Sequence, residues 1–359
     1  MFDFIYSTLF LGFLFAFSVT LVATPIVIKL AFKYGFVDDP KKHKHPAILH
    51  KKVIPRAGGL AVGIGIIATL LLFVPINKQV IGIIIGSVIA VLVGILDDKY
   101  DLNPYLRFLS NFLIAAVVVL SGIGISFVTN PFGGVIRLDE FIIRFDFFGP
   151  HSIVVLADIF AILWIVWVMN MLNWSKGVDG QLAGIAAVGF VVLGIVSLRF
   201  AENDQSQVIV ASLAFIAAGA ALGFLPFNWH PAKIFPGYSS TILGFLIAVL
   251  SIMSGAKVAI AILAMAVPLL DGVFTIFRRL LIKKSPFWGD KKHLHHHLMR
   301  LGWGHRKISL FYWTVCAILG LIALTTSGME KLFAGLLVFC VIMASILWIN
   351  LIIWSKDDL

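Results

Sequence analysis

Charge is what this chain has least of. Only 13% of its 359 residues are charged while 60% are hydrophobic, and a mean hydropathy of +1.02 leaves too little polar surface to solvate a globule of that size. A soluble fold is thereby excluded. Cysteine is nearly absent too: Cys316 and Cys340 are the 2 present, both inside apolar runs, so neither a disulfide framework nor a thiolate metal site is expected. A secretory leader is not expected either. The first apolar run is too long for a signal-peptide core, opens on Asp3 instead of a basic stretch, and shows no small-residue cleavage site.

What is present is apolar sequence in blocks. Crossing about 30 Å of hydrocarbon at 1.5 Å per residue takes roughly 17 to 25 residues. Eleven runs qualify, near 4–30, 58–77, 79–96, 106–124, 153–172, 181–198, 207–225, 238–254, 257–277, 308–326 and 332–354. Lipid offers no partner to open backbone groups, so the runs should be helices. The expected fold is an all-α polytopic membrane protein of ten to eleven spans, one integral membrane domain over 1–359.

Acids are also outnumbered, 18 against 28 Lys and Arg, and the excess is one-sided. Taking alternate loops, 22 basic residues fall on one side and 6 on the other. Basic residues are retained on the cytoplasmic side, which places the N-terminus outside, the C-terminus inside, and loops near 31–57, 97–105, 173–180, 226–237 and 278–307 in the cytoplasm. Attraction to anionic headgroups accounts for part of the bias. It does not explain why histidines and carboxylates gather on the same side.

The third run ends GILDDKYDLNP, putting Asp97 and Asp98 where the helix leaves the membrane. Adjacent carboxylates are costly there unless cations answer them. They read either as a capping pair or as groups that bind a divalent ion or take a proton from a phosphate nucleophile. The fifth run ends WVMNMLNWSKGVDGQLAG, with Asn170 and Asn173 three apart on one helix face and Lys176, Gly177, Asp179 and Gly180 in the following turn. Glycines there permit close approach to a bound group. The stretch KSPFWGDKKHLHHHLMRLG, 284–302, holds four histidines, four lysines or arginines and one aspartate. If helical, His293, His296 and His297 share one face. A zinc site is the competing reading, weakened by the lack of an accompanying cysteine or H-E-x-x-H pattern.

GILDD, NMLNWSKGVDG, FNWHPAKIFPGYSSTILGF, PLLDGVFTIFRR and SPFWGDKKHLHHHL together resemble the polyprenyl-phosphate N-acetylhexosamine-1-phosphate transferase family over roughly Pro25 to Gly304. The Asp290-x-x-His293-x-His295-His296 pattern is similar to its undecaprenyl-phosphate GlcNAc-1-phosphate branch. The resemblance implies transfer of a sugar-1-phosphate from a UDP-sugar to a polyprenyl phosphate at the cytoplasmic face of the plasma membrane, with release of UMP, for cell-envelope polysaccharide synthesis. The implied cofactor is a weakly bound Mg²⁺, with Mn²⁺ as the alternative. Membrane lipids are the surroundings, nucleic acid is not a partner, and a homodimer is left open.

Carried onto this chain, the resemblance makes Asp97 the general base, with Asp98 positioning it or the ion. Asn173 and Asp98 become metal ligands. His50, Lys51, Lys52, Asn170, Lys176, Asp179, His293, His295 and His296 become substrate contacts. Two departures stand out: Lys176 replaces an acid, and Tyr238 stands where the family carries a magnesium-binding Asp. A phenol does not substitute for a carboxylate on a hard cation. Either Lys176 supplies part of the missing positive charge, or the chain binds substrate without turnover. A transporter is the reading from another class, motivated by Asp158 and Asp271 within apolar runs. The absence of midplane polar groups and of symmetry between halves counts against it.

Overall fold

The computed structural model describes residues 2–41, 52–130, 134–146, 150–254, 258–286 and 290–357. Helices dominate: α1 Phe2–Tyr34, α2 Gly58–Phe73, α3 Lys78–Tyr100, α4 Pro104–Leu120, α5 Val155–Trp174, α6 Gln181–Phe200, α7 Ser206–Asn228, α8 Thr241–Met253, α9 Val258–Ala264, α10 Ala266–Leu281, α11 Leu294–Arg300, α12 His305–Thr325 and α13 Gly328–Asp357. Among the described residues, 7 helices are long and apolar enough to cross a membrane, or 8 if the pair α9 and α10, bent by 84°, is one span. Three shorter apolar helices, Gly58–Phe73, Pro104–Leu120 and Tyr238–Met253, carry the remaining runs.

Local sequence sets the helix starts. The Asn77 side chain accepts from the Val80 amide at 2.9 Å to open α3, and Asn103 caps α4 ahead of Pro104, which has no N–H to satisfy. Asp158, one of the two intramembrane acids, accepts from the Val154 amide at 2.9 Å. It serves the first turn of α5. Small residues then set the packing: a Cβ on Gly219 or Gly223 would lie 2.3 Å from the carbonyl oxygens of Phe13 or Phe17, so α7 lies on α1 backbone to backbone.

The all-α expectation missed three two-stranded antiparallel pairs. Strands β1 Val37–Asp38 and β2 Ile54–Pro55 pair near the first loop; β3 Phe127–Thr129 with β4 Val135–Arg137, and β5 Ile142–Asp146 with β6 Pro150–Val154, fill the connection between α4 and α5. That connection is rich in Val, Ile and Phe, which suit strands when a run is too short to span.

The polar loops assigned to one side by alternation meet at one end of the bundle. Arg56 reaches Asp98, Lys176 reaches Gly237, and His230 and His305 both reach Asp179. At the other end Gln207 bonds the Met253 carbonyl, and Arg199 bonds that of Leu324.

Candidate active site

The turn Phe235 to Ser240 is the keystone of the polar end. Backbone bonds zip it to the segment after β2: the Phe235 amide donates to the Pro55 carbonyl at 2.8 Å, and Gly58 and Gly59 donate to Phe235 and Pro236 at 3.0 and 2.8 Å. Its Ser239 backbone is wedged between Gly59 and Gly94, where any Cβ would fall 2.1 Å away. This positions Arg56 over the end of α3.

Asp98 belongs to that turn. Its Oδ1 accepts from the Tyr238 amide at 2.8 Å and faces Arg56 Nε at 3.4 Å, while Oδ2 accepts from the Ser239 amide at 3.4 Å and the Ser239 hydroxyl at 3.1 Å. Four donors fill a carboxylate's capacity. In this arrangement Asp98 ties the end of α3 to the turn, and its lone pairs are already engaged. Asp97 is less occupied. Its Oδ1 takes the Leu102 amide at 3.0 Å, and Oδ2 stands 3.4 Å from Arg107 Nη1 and 3.8 Å from Arg56 Nη2. Burial alone would lower the Arg56 pKa, but Asp98, Asp97, Asp38 and Asp101 outweigh it and raise it. The guanidinium stays charged.

Lys176 completes the group of cations. Its Nζ donates to the Gly237 carbonyl at 2.8 Å and lies 5.7 Å from the centre of the Tyr238 ring. Burial lowers its pKa to about 8 against the opposing pull of Asp98 and Asp97. Tyr238 is turned away from this centre: its hydroxyl meets the Arg107 carbonyl at 3.3 Å and Asn111 Oδ1 at 3.4 Å on α4. Of the two asparagines, Asn170 donates from its Nδ2 to its own helix at the Val166 carbonyl, 2.7 Å. The Asn173 Oδ1 atom is buried with no partner.

The histidines join this centre through Gly177. A Cβ there would sit 1.9 Å from His295 Nε2, so only glycine lets the Lys176 loop rest on the imidazole. His293 is the residue before α11, with an extended backbone (ψ 155°). It consequently does not share a helix face with His296 and His297 as the i, i+3, i+4 spacing predicts. Its ring instead lies parallel to His295, centres 5.6 Å apart, and its Nδ1 is 2.9 Å from Asp271 Oδ2. Asp271 also accepts from the Leu294 amide at 2.8 Å, so this second intramembrane acid anchors the histidine helix. Burial first, then neighbouring imidazoles, hold His295 well below its ordinary pKa and His296 at about 4. At neutral pH both are uncharged hydrogen-bonding groups. His295 Nδ1 and both His297 nitrogens are buried without partners.

Three further groups escaped the sequence reading. Arg107 and Arg56 look like headgroup-facing charges in the sequence, and only the folded turn brings them to Asp97. Arg278 donates to Asp290 at 2.8 Å yet keeps Nε and Nη1 buried and unspent. Burial would raise the Asp290 pKa, but bonds from Arg278 and Arg279 (3.1 Å) lower it to about 2. Asp179 is committed elsewhere, to His230 Nδ1 at 2.6 Å and His305 Nδ1 at 3.4 Å. Of the other expected contacts, Lys52 is exposed, and His50 and Lys51 lie outside the described residues. An apolar hollow of about 380 Å³ between α6, α7 and α12, lined by Val188, Ile195, Leu222, Trp313 and Leu321 among others, offers nothing to bind a phosphate.

A helical membrane protein, one polar end of which gathers paired carboxylates, buried cations and uncharged imidazoles, is built for an anionic reactant held at a bilayer surface. The comparisons give the class: a glycosyl transferase family 4 pattern matches residues 80–255. The probable undecaprenyl-phosphate N-acetylglucosaminyl 1-phosphate transferase of Bacillus subtilis (strain 168) is 34% identical over 312 residues, spanning 85% of this chain and 81% of that one. The chain belongs to glycosyl transferase family 4. It is also 28% identical over 340 residues to a decaprenyl-phosphate N-acetylglucosaminephosphotransferase of Mycolicibacterium smegmatis (strain ATCC 700084 / mc(2)155), covering 86% of this chain and 79% of that one. A phospho-N-acetylmuramoyl-pentapeptide-transferase of Staphylococcus saprophyticus subsp. saprophyticus is 28% identical over 329 residues, 86% of this chain and 96% of its own.

The family is generally dependent on a divalent metal. The orphaned Asn173 oxygen and the lone pairs left on Asp97 are hard oxygen donors of the kind such a cation takes. Asp98 and Tyr238 add nothing to that set.

Proposed function

We propose that the chain transfers a sugar-1-phosphate, GlcNAc-1-phosphate, from a UDP-sugar to a polyprenyl phosphate and releases UMP. The carrying observation is the junction at Gly177, which presses the Lys176 loop on His295 and so joins the carboxylate pair to the histidine cluster. Asp97 takes the proton from the lipid phosphate. Lys176, Arg56 and Arg107 meet the charge of the nucleotide diphosphate, and His293, His295 and His296 donate or accept hydrogen bonds around it. Arg278, with two donors unspent, anchors the outer phosphate oxygens. Asp98 holds the 235–240 turn, and Asp179 fixes the loop bearing Lys176. A magnesium ion held by Asn173 and Asp97 supplies further charge neutralisation when bound.

A direct test is purified protein with undecaprenyl phosphate and a panel of radiolabelled UDP-sugars. Label passing to lipid with UMP release supports the reading; no transfer with any sugar leaves a substrate-binding scaffold.

Eleven crossings with the N-terminus outside and the polar end in the cytoplasm are part of this reading, supported by the 22 to 6 division of basic residues. With Cys316 and Cys340 replaced by serine, Arg300→Cys should label only from the cytoplasm and Glu140→Cys only from outside. The reverse pattern would invert the site.

Activity should also carry an alkaline limb. Burial leaves the Lys176 ammonium with a pKa of about 8, so the charge it offers the diphosphate is present below that pH and lost above it. Lys176→Arg should move the limb upward, because a guanidinium stays protonated throughout. An unmoved limb in kcat/KM would assign it to another group.

A further inference from the structure

Tyr238 is buried at the polar end, 4% exposed, and tied at both ends of the residue. Its amide donates to Asp98 Oδ1 at 2.8 Å. Its hydroxyl donates toward the Arg107 carbonyl at 3.3 Å and Asn111 Oδ1 at 3.4 Å, one helical turn apart on α4. With backbone and hydroxyl both held, the ring keeps one orientation, and two cations stand over it. The Arg107 guanidinium is 5.5 Å from the ring centre and the Lys176 ammonium 5.7 Å, both within the reach at which an aromatic face attracts a cation. We propose that Tyr238 is a positioning residue whose ring face holds Arg107 and Lys176 together, with hydrogens to spare, where the diphosphate of the nucleotide sugar binds.

The two cations come from elements far apart in the chain, α4 and the turn between α5 and α6, and like charges do not gather unaided. Asp98 and Asp97 attract the Lys176 ammonium, while Arg56 and Arg107 oppose it. A neutral ring with a negative face draws both cations and cancels neither. A carboxylate in its place would also draw them, but at the expense of the charge and hydrogen bonds they carry toward an anion.

The donor count agrees. Among the described residues, Arg107 donates its side chain through Nη1 to Asp97 at 3.4 Å, which leaves Nε and Nη2. Lys176 gives one hydrogen to the Gly237 carbonyl at 2.8 Å, and an ammonium has three. The Arg107 side chain is 27% exposed, so it is reachable from outside the protein. Two cations fixed by a ring and still rich in donors suit a reactant with several anionic oxygens. That the reactant is a nucleotide diphosphate rests on the transferase reading.

The test changes the charge of the ring face and keeps its shape. Full-length protein in detergent is prepared as Tyr238→Phe, the reference without the hydroxyl bonds, and then with mono-, di- and trifluorinated phenylalanine at the same position, which withdraws charge from the face in steps. UDP-GlcNAc affinity by calorimetric titration, and kcat/KM for sugar-phosphate transfer, should fall in those steps by about 10-fold from no fluorine to three. Tm should move little across the series, because ring volume is nearly kept. Tyr238→Leu removes the face outright and should do at least as much damage. In Lys176→Met the steps should shrink, since one of the two cations over the ring is gone. The role is overturned if neither readout follows the fluorine count, if losses track Tm instead, or if the steps keep their size in Lys176→Met. Titration needs no turnover: a wild type that binds UDP-GlcNAc without transferring its sugar-phosphate counts against the transferase reading alone, and one that binds none fails both.

Discussion

Asp97→Asn is expected to cut turnover by about 10²-fold or more while leaving UDP-sugar binding in place. Asparagine preserves the shape and can still accept from the Leu102 amide now at 3.0 Å from Oδ1, so the end of α3 should hold. What disappears is the proton acceptor together with the one carboxylate assigned to magnesium, so release is measured across a magnesium titration. The charge balance also shifts, since Arg107 and Arg56 lose one carboxylate at 3.4 and 3.8 Å, and that should tighten an anionic nucleotide if it changes binding at all. UMP release and UDP-sugar titration on the same preparation separate the two effects. Undiminished release would remove Asp97 from the role. Asp98→Asn makes an informative contrast: its four donors include two backbone amides and the Arg56 guanidinium. An amide nitrogen facing any of them breaks the turn, so binding and turnover should fall together.

The sequence made the helices legible because bilayer thickness imposes a length and lipid imposes backbone satisfaction, and both leave a pattern in composition. The α4 to α5 connection was not legible as strands: its short runs of Val, Ile and Phe carry too little periodicity to distinguish hairpin from loop. At the site, the motifs named Asp97, Asp98, Lys176 and the histidines, since those residue types are rare in apolar sequence and stand out. The resemblance assigned Asp97 and Asp98 different tasks, but the residues themselves offered no ground for the division. That Asp98 is engaged by a turn 140 residues away and by Arg56, while Asp97 keeps spare lone pairs, is a fact of tertiary contact. So is the use of His293 as the residue before a helix, against the periodicity of the HLHHH run. Arg56, Arg107 and Arg278 were hidden for the opposite reason. Basic residues at a membrane edge are common, and only burial or an orphaned donor separates a working arginine from one facing headgroups.

Lys176→Ala is expected to lower turnover by about 10² to 10³-fold, the range for losing one preorganised donor to developing negative charge. The lysine is buried, bonds the Gly237 carbonyl at 2.8 Å, and is the cation that the loop between α5 and α6 adds to Arg56 and Arg107. Its removal leaves Asp97 and Asp98 facing the diphosphate with less to offset them. If this ammonium stands in for part of the metal's charge, wild type should need little magnesium or hold it weakly, because Asn173 and Asp97 are a thin ligand set. Replacing both departures, Lys176→Asp with Tyr238→Asp, should raise magnesium affinity, since each carboxylate adds ligand charge at a hard-oxygen site. The second substitution must also release the Tyr238 ring from Arg107, 5.5 Å from its centre, and from Asn111, so some stability should be lost with it. Magnesium titration of activity in the three proteins decides the matter. A wild type inactive at every magnesium concentration beside an active double variant would mean that Lys176 blocks the site, and that this chain binds its substrates without turning them over. Wild-type behaviour from Lys176→Ala would reduce the lysine to a loop charge, and the neutralising task would pass to Arg56, Arg107 and the two unspent donors of Arg278.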